Sequence, residues 1–188
     1  MRHFNWLVCA AVLAALPGCA PVVVVGLGAG VLMGADRRTS GSYLEDSKIE
    51  THAASQIFGQ YKDTVHVNVT SFNRLVLITG EVPADADKSR VEQIVSDVPK
   101  VKSVSNELAV SAPSGLAARS NDGLLTSNVK LRFLSNKIFQ PDHVKVVTEN
   151  NVVFLMGLVY RKEAEAATDI ARNSKGVERV VTLFEYLD

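Results

Sequence analysis

The sequence predicts an α+β protein made of two tandem copies of one αββαβ unit. Each unit is expected to be a two-layer sandwich, with two helices on one face of a three-stranded mixed sheet. One observation is an internal repeat: the aliphatic segment 76–80 ends in glycine and recurs 77 residues later as 153–157. The other is that both copies alternate strand-like and helix-like hydrophobic patterns in the same order.

The first copy shows both periodicities clearly. Val65, Val67 and Val69 alternate as in a half-buried strand, whereas Val91 and Ile94 begin a set with helical spacing. The pattern predicts helices over 46–60 and 85–98, and strands over 64–70, 74–82 and 101–110. A turn is expected at 71–73.

The second copy follows the same plan. The pattern predicts helices over 124–139 and 162–173, and strands over 143–148, 152–159 and 177–186, with a turn at 149–151. The first domain is therefore expected over 44–110 and the second over 124–188. The segment 111–123 between them is rich in Ser, Gly, Pro and Ala and is predicted to be a linker.

The N-terminal segment predicts a secreted, lipid-anchored protein. Arg2 precedes an uncharged apolar stretch that is too short to span a bilayer and has the length of a signal-peptide core. The run Leu16-Pro17-Gly18-Cys19 resembles a bacterial lipobox. This resemblance implies a lipoprotein signal peptide over 1–18 and lipidation of Cys19 with several acyl chains, palmitate among them. An apolar, Gly-rich tether follows over 19–43. Because Ala20 and not Asp follows the cysteine, the resemblance implies the periplasmic face of the outer membrane.

Charge and composition exclude several functions. Lys plus Arg and Asp plus Glu are both 20, so no basic surplus is present for binding nucleic acid. Both cysteines, Cys9 and Cys19, lie in the N-terminal segment, which excludes a disulfide scaffold and a cysteine-based metal site in the body. The histidines His52, His66 and His143 are scattered without metal-ligand spacing. The sequence therefore predicts no cofactor, no metal and no enzymatic activity.

Several motifs together resemble a known family. The order αββαβ, the repeated aliphatic-Gly turn and the ending Gly-Val-x-x-Val at 176–180 resemble BON domains. A lipobox followed by two such domains resembles the dual-BON outer-membrane lipoproteins, and the segments 36–39, 120–122, 146–150 and 153–159 resemble the division- and outer-membrane-stress-associated lipid-binding lipoprotein family. The resemblance implies binding of anionic phospholipid by the second BON domain, support of cell envelope integrity, and enrichment at the cell division site.

The opening helices of the two copies differ. In the first, the apolar residues fall on one half of the helix: Ile49, Ala53, Ala54, Ile57 and Phe58. In the second, Leu125, Val129 and Phe133 form an equivalent core stripe. A second stripe lies roughly opposite and comprises Leu124, Leu131, Leu134 and Ile138. One sheet cannot bury both stripes, so the second stripe requires another partner.

The charges near this second stripe favour a membrane. The predicted helix 124–139 contains Lys130, Arg132 and Lys137 and no acidic residue. Basic amphipathic helices are typical of anionic membrane surfaces. The sequence thus predicts a phospholipid-binding site with the following residues: Leu124, Lys130, Leu131, Leu134, Lys137 and Ile138. Two alternatives remain: the stripe packs against the first domain or the linker, or it docks a protein. In the latter case the chain would be an adaptor that assists assembly of outer-membrane proteins.

Overall fold

The computed structural model describes residues 36–188. The predicted signal peptide, Cys19 and most of the tether lie outside the described residues. Within 36–188, every helix is too short or too polar to cross a bilayer. The two repeats belong to one compact unit.

The described chain contains four α-helices and seven strands in the predicted order. They are α1 (Ser40–Tyr61), β1 (His66–Phe72), β2 (Leu75–Val82), α2 (Asp85–Ser96), β3 (Ser103–Asn106), β4 (Ala109–Val110), α3 (Leu116–Leu134), β5 (Val144–Glu149), β6 (Val152–Val159), α4 (Arg161–Arg172) and β7 (Arg179–Tyr186). A short 3₁₀ turn, Pro141–His143, precedes β5. The α+β fold class is confirmed.

Each repeat forms one mixed sheet. In the first, β2 pairs antiparallel with β1 and parallel with β3 and β4. In the second, β6 pairs antiparallel with β5 and parallel with β7. The predicted strand 101–110 is interrupted in the structure, because Leu108 turns into the core between β3 and β4. Each sheet is three strands wide, as predicted.

Both opening helices begin earlier than predicted. Helix α1 begins at Ser40, where the Thr39 hydroxyl accepts a hydrogen bond from the Ser42 amide and caps the helix. Helix α3 begins at Leu116 and not at residue 124. Ala117 and Ala118, which favour helix, extend it into the predicted linker. The prediction of a linker over 111–123 is wrong in its second part, because only 111–115 separate β4 from α3.

Helix α3 also ends earlier than predicted, at Leu134 and not at residue 139. The Asn136 side-chain oxygen accepts hydrogen bonds from the backbone amides of Ile138 and Phe139, at 2.8 and 3.0 Å. These bonds give the two backbone amides acceptors outside the helix, in a conformation that the helix cannot continue through. Lys137 and Ile138 therefore lie just beyond the helix.

A buried carboxylate joins each opening helix to the following hairpin. Asp46 of α1 accepts hydrogen bonds from the backbone amides of Asn73 and Arg74, at 2.8 and 2.7 Å. In the second repeat Asp122 of α3 accepts two equivalent bonds from the backbone amides of residues 150 and 151, both at 2.9 Å. The four turn residues all have positive φ. Such tight hairpin turns need left-handed backbone conformations. The hydrogen bonds from the turn amides to the buried carboxylates compensate for the free-energy cost of these conformations.

The repeated glycines lie inside strands and do not form turns, so the aliphatic-Gly turn is a wrong prediction. Gly80 pairs with Val67, and Gly157 pairs with Val144. A Cβ atom on Gly80 would lie 2.0 Å from the carbonyl oxygen of His66, and one on Gly157 would lie 2.5 Å from that of His143. The glycines are needed because the neighbouring strand approaches closely.

The two repeats pack sheet against sheet. Alternate residues of β2 and β6 face the helices of their own repeat, as Val76 and Val153 do. The intervening residues face the other repeat and form a third apolar cluster. Its fully buried members are Phe72, Leu77, Phe154 and Met156. The body is thus four layers: helix, sheet, sheet and helix.

We expect Leu77→Ala to destabilise the body by about 2–5 kcal/mol, because the truncation leaves a cavity between the sheets. Leu116→Ala is the matched control, since Leu116 is exposed; its effect should stay within about 0.5 kcal/mol. Urea unfolding of both variants measures the difference. Equal stabilities would contradict the sheet-to-sheet packing.

Candidate functional site

The second apolar stripe of α3 is exposed, as its residues predicted. Leu124, Leu131 and Leu134 are 71%, 65% and 67% exposed, and Ile138 beyond the helix is also exposed. The opposite face of α3 is buried in the core of its own repeat through Leu125, Val129 and Phe133. The first domain does not cover the stripe, so that alternative is not what the structure shows.

The stripe is longer than the sequence indicated. Leu116, placed in the predicted linker, is the first residue of α3 and is 82% exposed. It lies 18 residues before Leu134, which is five full turns, so the two leucines share one side of the helix about 27 Å apart. We call Leu116, Leu124, Leu131 and Leu134 the outer leucine stripe.

Basic residues border the outer leucine stripe, among them the two lysines predicted there. Lys130 and Lys137 are exposed. Arg119 is exposed as well and precedes Lys130 by 11 residues, or three turns, so both lie on the same side of α3. Arg132, counted with them from the sequence, instead donates to the Asn173 carbonyl and to the Ser174 hydroxyl at the end of α4.

The outer face of α1 also carries apolar side chains. Tyr43, Leu44 and Phe58 are exposed, so the predicted burial of Phe58 is wrong. Ala54, predicted on the same buried half, is exposed too. The reason is that a helix on a flat sheet buries only a narrow stripe, here Ile49, Ala53 and Ile57. This surface differs from the outer leucine stripe in charge, since the three acidic residues of α1 are paired with basic residues and its one lysine, Lys48, is exposed.

Arg37, near the start of the described chain, binds the second repeat. Arg37 donates two hydrogen bonds to the Glu163 carboxylate, at 2.6 and 2.8 Å, and one to the Leu158 carbonyl at 3.0 Å. The bonds from Arg37 hold the pKa of the Glu163 carboxyl below its usual value, against the opposing effect of burial.

Arg38 attaches the same segment to the first repeat. Its guanidinium pairs with Asp36 at 2.6 Å and with the buried Asp46 at 2.9 Å, and it lies 4.1 Å from the centre of the Phe72 ring. Adjacent arginines thus bind different repeats. The described chain therefore begins at a fixed place on the seam between the two domains.

One side-chain group has the composition of a metal site. His66, Glu81 and Glu149 bring an imidazole and two carboxylates together at the interface between the sheets. The sequence analysis missed this group because the three residues are far apart along the chain. Only the packing of β1 and β2 against β5 unites them.

The fold and these sites define a tandem BON-domain protein. The BON domain family matches residues 45–112 and 121–188, one match for each repeat. The chain therefore belongs to the BON-domain family, and the resemblance drawn from its sequence is confirmed.

Individual relatives narrow the class. The chain is 35% identical over 175 residues to "Outer membrane lipoprotein DolP" of Haemophilus influenzae, covering 92% of this chain and 91% of that protein. It is 29% identical over 154 residues to "21 kDa hemolysin" of Actinobacillus pleuropneumoniae, covering 81% and 79%. It is also 29% identical over 145 residues to "Osmotically-inducible protein Y" of Escherichia coli, covering 74% and 72%.

We expect Arg37→Gln to lower the stability of the body at neutral pH by about 1–3 kcal/mol, the usual range for hydrogen bonds to a charged group. Because the folded pKa of Glu163 lies below its usual 4.5, the wild-type advantage is full above that pH. It should diminish as the pH falls through the folded value. Urea unfolding of both proteins from neutral to acidic pH measures this, and a difference that grows on acidification would contradict it.

Proposed function

We propose that this chain is a lipid-anchored protein on the periplasmic face of the outer membrane, where its second BON domain binds anionic phospholipid. The observation that carries the proposal is the outer leucine stripe of α3, exposed over about five turns and bordered by Lys130 and Lys137. The function is one of binding and supports the integrity of the cell envelope.

The energetics of this surface suit a membrane. Full burial of a leucine side chain is worth about 1.5–3 kcal/mol, and each basic residue near an anionic surface adds on the order of 1 kcal/mol. Small residues lie between the leucines, Ser120, Gly123 and Ser127 among them, so the large side chains protrude beyond their neighbours. Partial insertion of several leucines, together with the lysines, is sufficient for weak binding.

A lipid anchor would make weak binding effective. Lipidation of Cys19 would hold the body beside the membrane, so that its affinity acts at a high local concentration. The similarity to a protein named as an outer membrane lipoprotein and the lipobox-like segment support this part. Enrichment at the division site is part of the proposal through the family resemblance alone.

A second candidate function is that of an adaptor that docks proteins at the outer membrane and assists assembly of outer-membrane proteins. The outer face of α1 favours it, because Tyr43, Leu44 and Phe58 are exposed there. Aromatic side chains are enriched at protein interfaces, whereas Lys48 is the one basic residue that α1 offers to anionic lipid. A protein partner suits such a surface better than a membrane does.

Residues 36–188 contain all three apolar clusters described above and are the material for a vesicle-binding test. We expect them to sediment with vesicles that contain phosphatidylglycerol and not with purely zwitterionic vesicles. Leu134→Glu should abolish this binding, because it places an acid in the stripe. Leu44→Glu on α1 is the matched control, an equally exposed leucine whose replacement should leave binding unchanged.

Charge removal completes this test. The double variant Lys130→Ala, Lys137→Ala loses on the order of 2 kcal/mol and should bind about 30-fold more weakly. Added salt should weaken the wild type more than this variant. The lipid-binding proposal is wrong if the wild-type protein binds neither kind of vesicle. It is also wrong if Leu44→Glu abolishes binding as Leu134→Glu does. In either case α3 becomes a candidate protein-docking surface.

The anchor has its own test in cells. Wild-type protein should incorporate labelled palmitate and fractionate with the outer membrane, whereas Cys19→Ser should do neither, because it lacks the thiol that is acylated. Cys9→Ser is the control and should behave as the wild type, since residue 9 falls in the predicted signal peptide. Labelling that persists in Cys19→Ser would contradict the predicted anchor.

A further inference from the structure

A mixed cluster of nitrogen and oxygen ligands lies between the two BON domains. His66 of β1 and Glu81 of β2 are directly paired across strands in the first domain, and Glu149 ends β5 in the second. The His66 Nδ1 atom lies 2.9 Å from Glu81 Oε2 and 3.8 Å from Glu149 Oε1. The three ligand atoms all lie within 4.8 Å of one another.

The cluster holds an excess of buried negative charge. Glu81 and Glu149 are 1% and 7% exposed. Within residues 36–188, the His66 imidazole is the one group that forms an ion pair with either carboxylate, and no lysine or arginine does so. Buried carboxylates are normally paired with a cation or coordinate a metal ion.

The hydrogen bonds around Glu81 favour its charged form. Burial raises the pKa of the Glu81 carboxyl. Hydrogen bonds from the Ser114 amide, the Asn150 side chain and His66 together lower this pKa by more than burial raises it, so it lies below its usual value. The Asn150 bond comes from the second domain. The structure therefore maintains a carboxylate at the seam and surrounds it with hydrogen-bond donors from both domains.

We propose that His66, Glu81 and Glu149 bind one divalent transition-metal ion of the zinc type, which links the two BON domains. An imidazole and two carboxylates are a ligand set that zinc accepts, with bonds of about 2.0–2.2 Å. Tetrahedral ligands at that distance lie about 3.4 Å apart. The two separations from His66 Nδ1, 2.9 and 3.8 Å, bracket this value. The two carboxylate atoms lie within 4.8 Å of each other, so rotation of the glutamate side chains brings all three ligands into place.

Outer partners for these ligands are already in place. The Asn68 side-chain nitrogen lies 2.9 Å from Glu149 Oε2 and 3.2 Å from His66 Nε2. When the ion takes Nδ1, the imidazole proton resides on Nε2, and the Asn68 nitrogen keeps its hydrogen bond to Glu149. A water completes the four ligands.

The whole chain, purified in detergent, is the material for the test. Calorimetric titration with zinc chloride at neutral pH should show one saturable site per chain, and zinc should raise the melting temperature relative to chelator. Glu149→Gln should weaken zinc binding at least tenfold. Glu185→Gln is the matched control: Glu185 also accepts hydrogen bonds from the first domain, from Asn73 and Lys102, but lies outside the cluster.

The result that would overturn the proposal is the absence of a one-to-one zinc site. Equal weakening by Glu149→Gln and Glu185→Gln would overturn it as well. If Glu149→Gln loses the native circular dichroism spectrum, the variant is misfolded and its zinc affinity is uninformative. X-ray absorption of the wild-type zinc complex then identifies the ligands directly. One imidazole with oxygen donors supports the site, and a spectrum without imidazole excludes it.

Discussion

The sheet-to-sheet contact between the two BON domains determines the rest of the structure. Each sheet has helices on only one face, so a single repeat would leave the other face, with side chains such as Leu77 or Phe154, in water. Packing the two open faces together buries both. Once this contact forms, only the outer helical surfaces and the rim of the interface remain for partners.

The rim of this contact is polar and fixes how the domains meet. Lys145 of the second domain pairs with Glu50 of the first at 3.0 Å, and Asn73 of the first donates to Glu185 of the second. Arg37 reaches Glu163 from the start of the described chain. Apolar area supplies most of the stabilisation, whereas directional charged contacts select one relative orientation. The seam is therefore the structural element, and the outer helical faces are left for binding.

The sequence was sufficient for the repeat, the order of elements and the exposed stripe, because each of these depends on local periodicity. The sheet-to-sheet contact was missed, although the unbroken apolar runs at 75–78 and 152–156 are typical of strands buried on both faces. The roles of Arg37, Arg132 and Glu149 could not be predicted. Each depends on a partner that is distant along the chain, and no periodic pattern reports such a contact.

The four-layer order also bears on which helix faces the membrane. Helices α1 and α3 belong to opposite outer layers, since each covers its own sheet on the side away from the interface. A flat membrane can therefore contact only one of these two surfaces at a time. Both expose apolar side chains, so hydrophobicity does not distinguish them. Charge does: the acidic residues of α1 are paired with Arg38, Arg74 and Lys145, and its one basic residue is Lys48. Beside the outer leucine stripe, three basic residues are exposed: Arg119, Lys130 and Lys137. An anionic surface thus favours the α3 side, which leaves the α1 side directed away from the lipid and accessible to a protein.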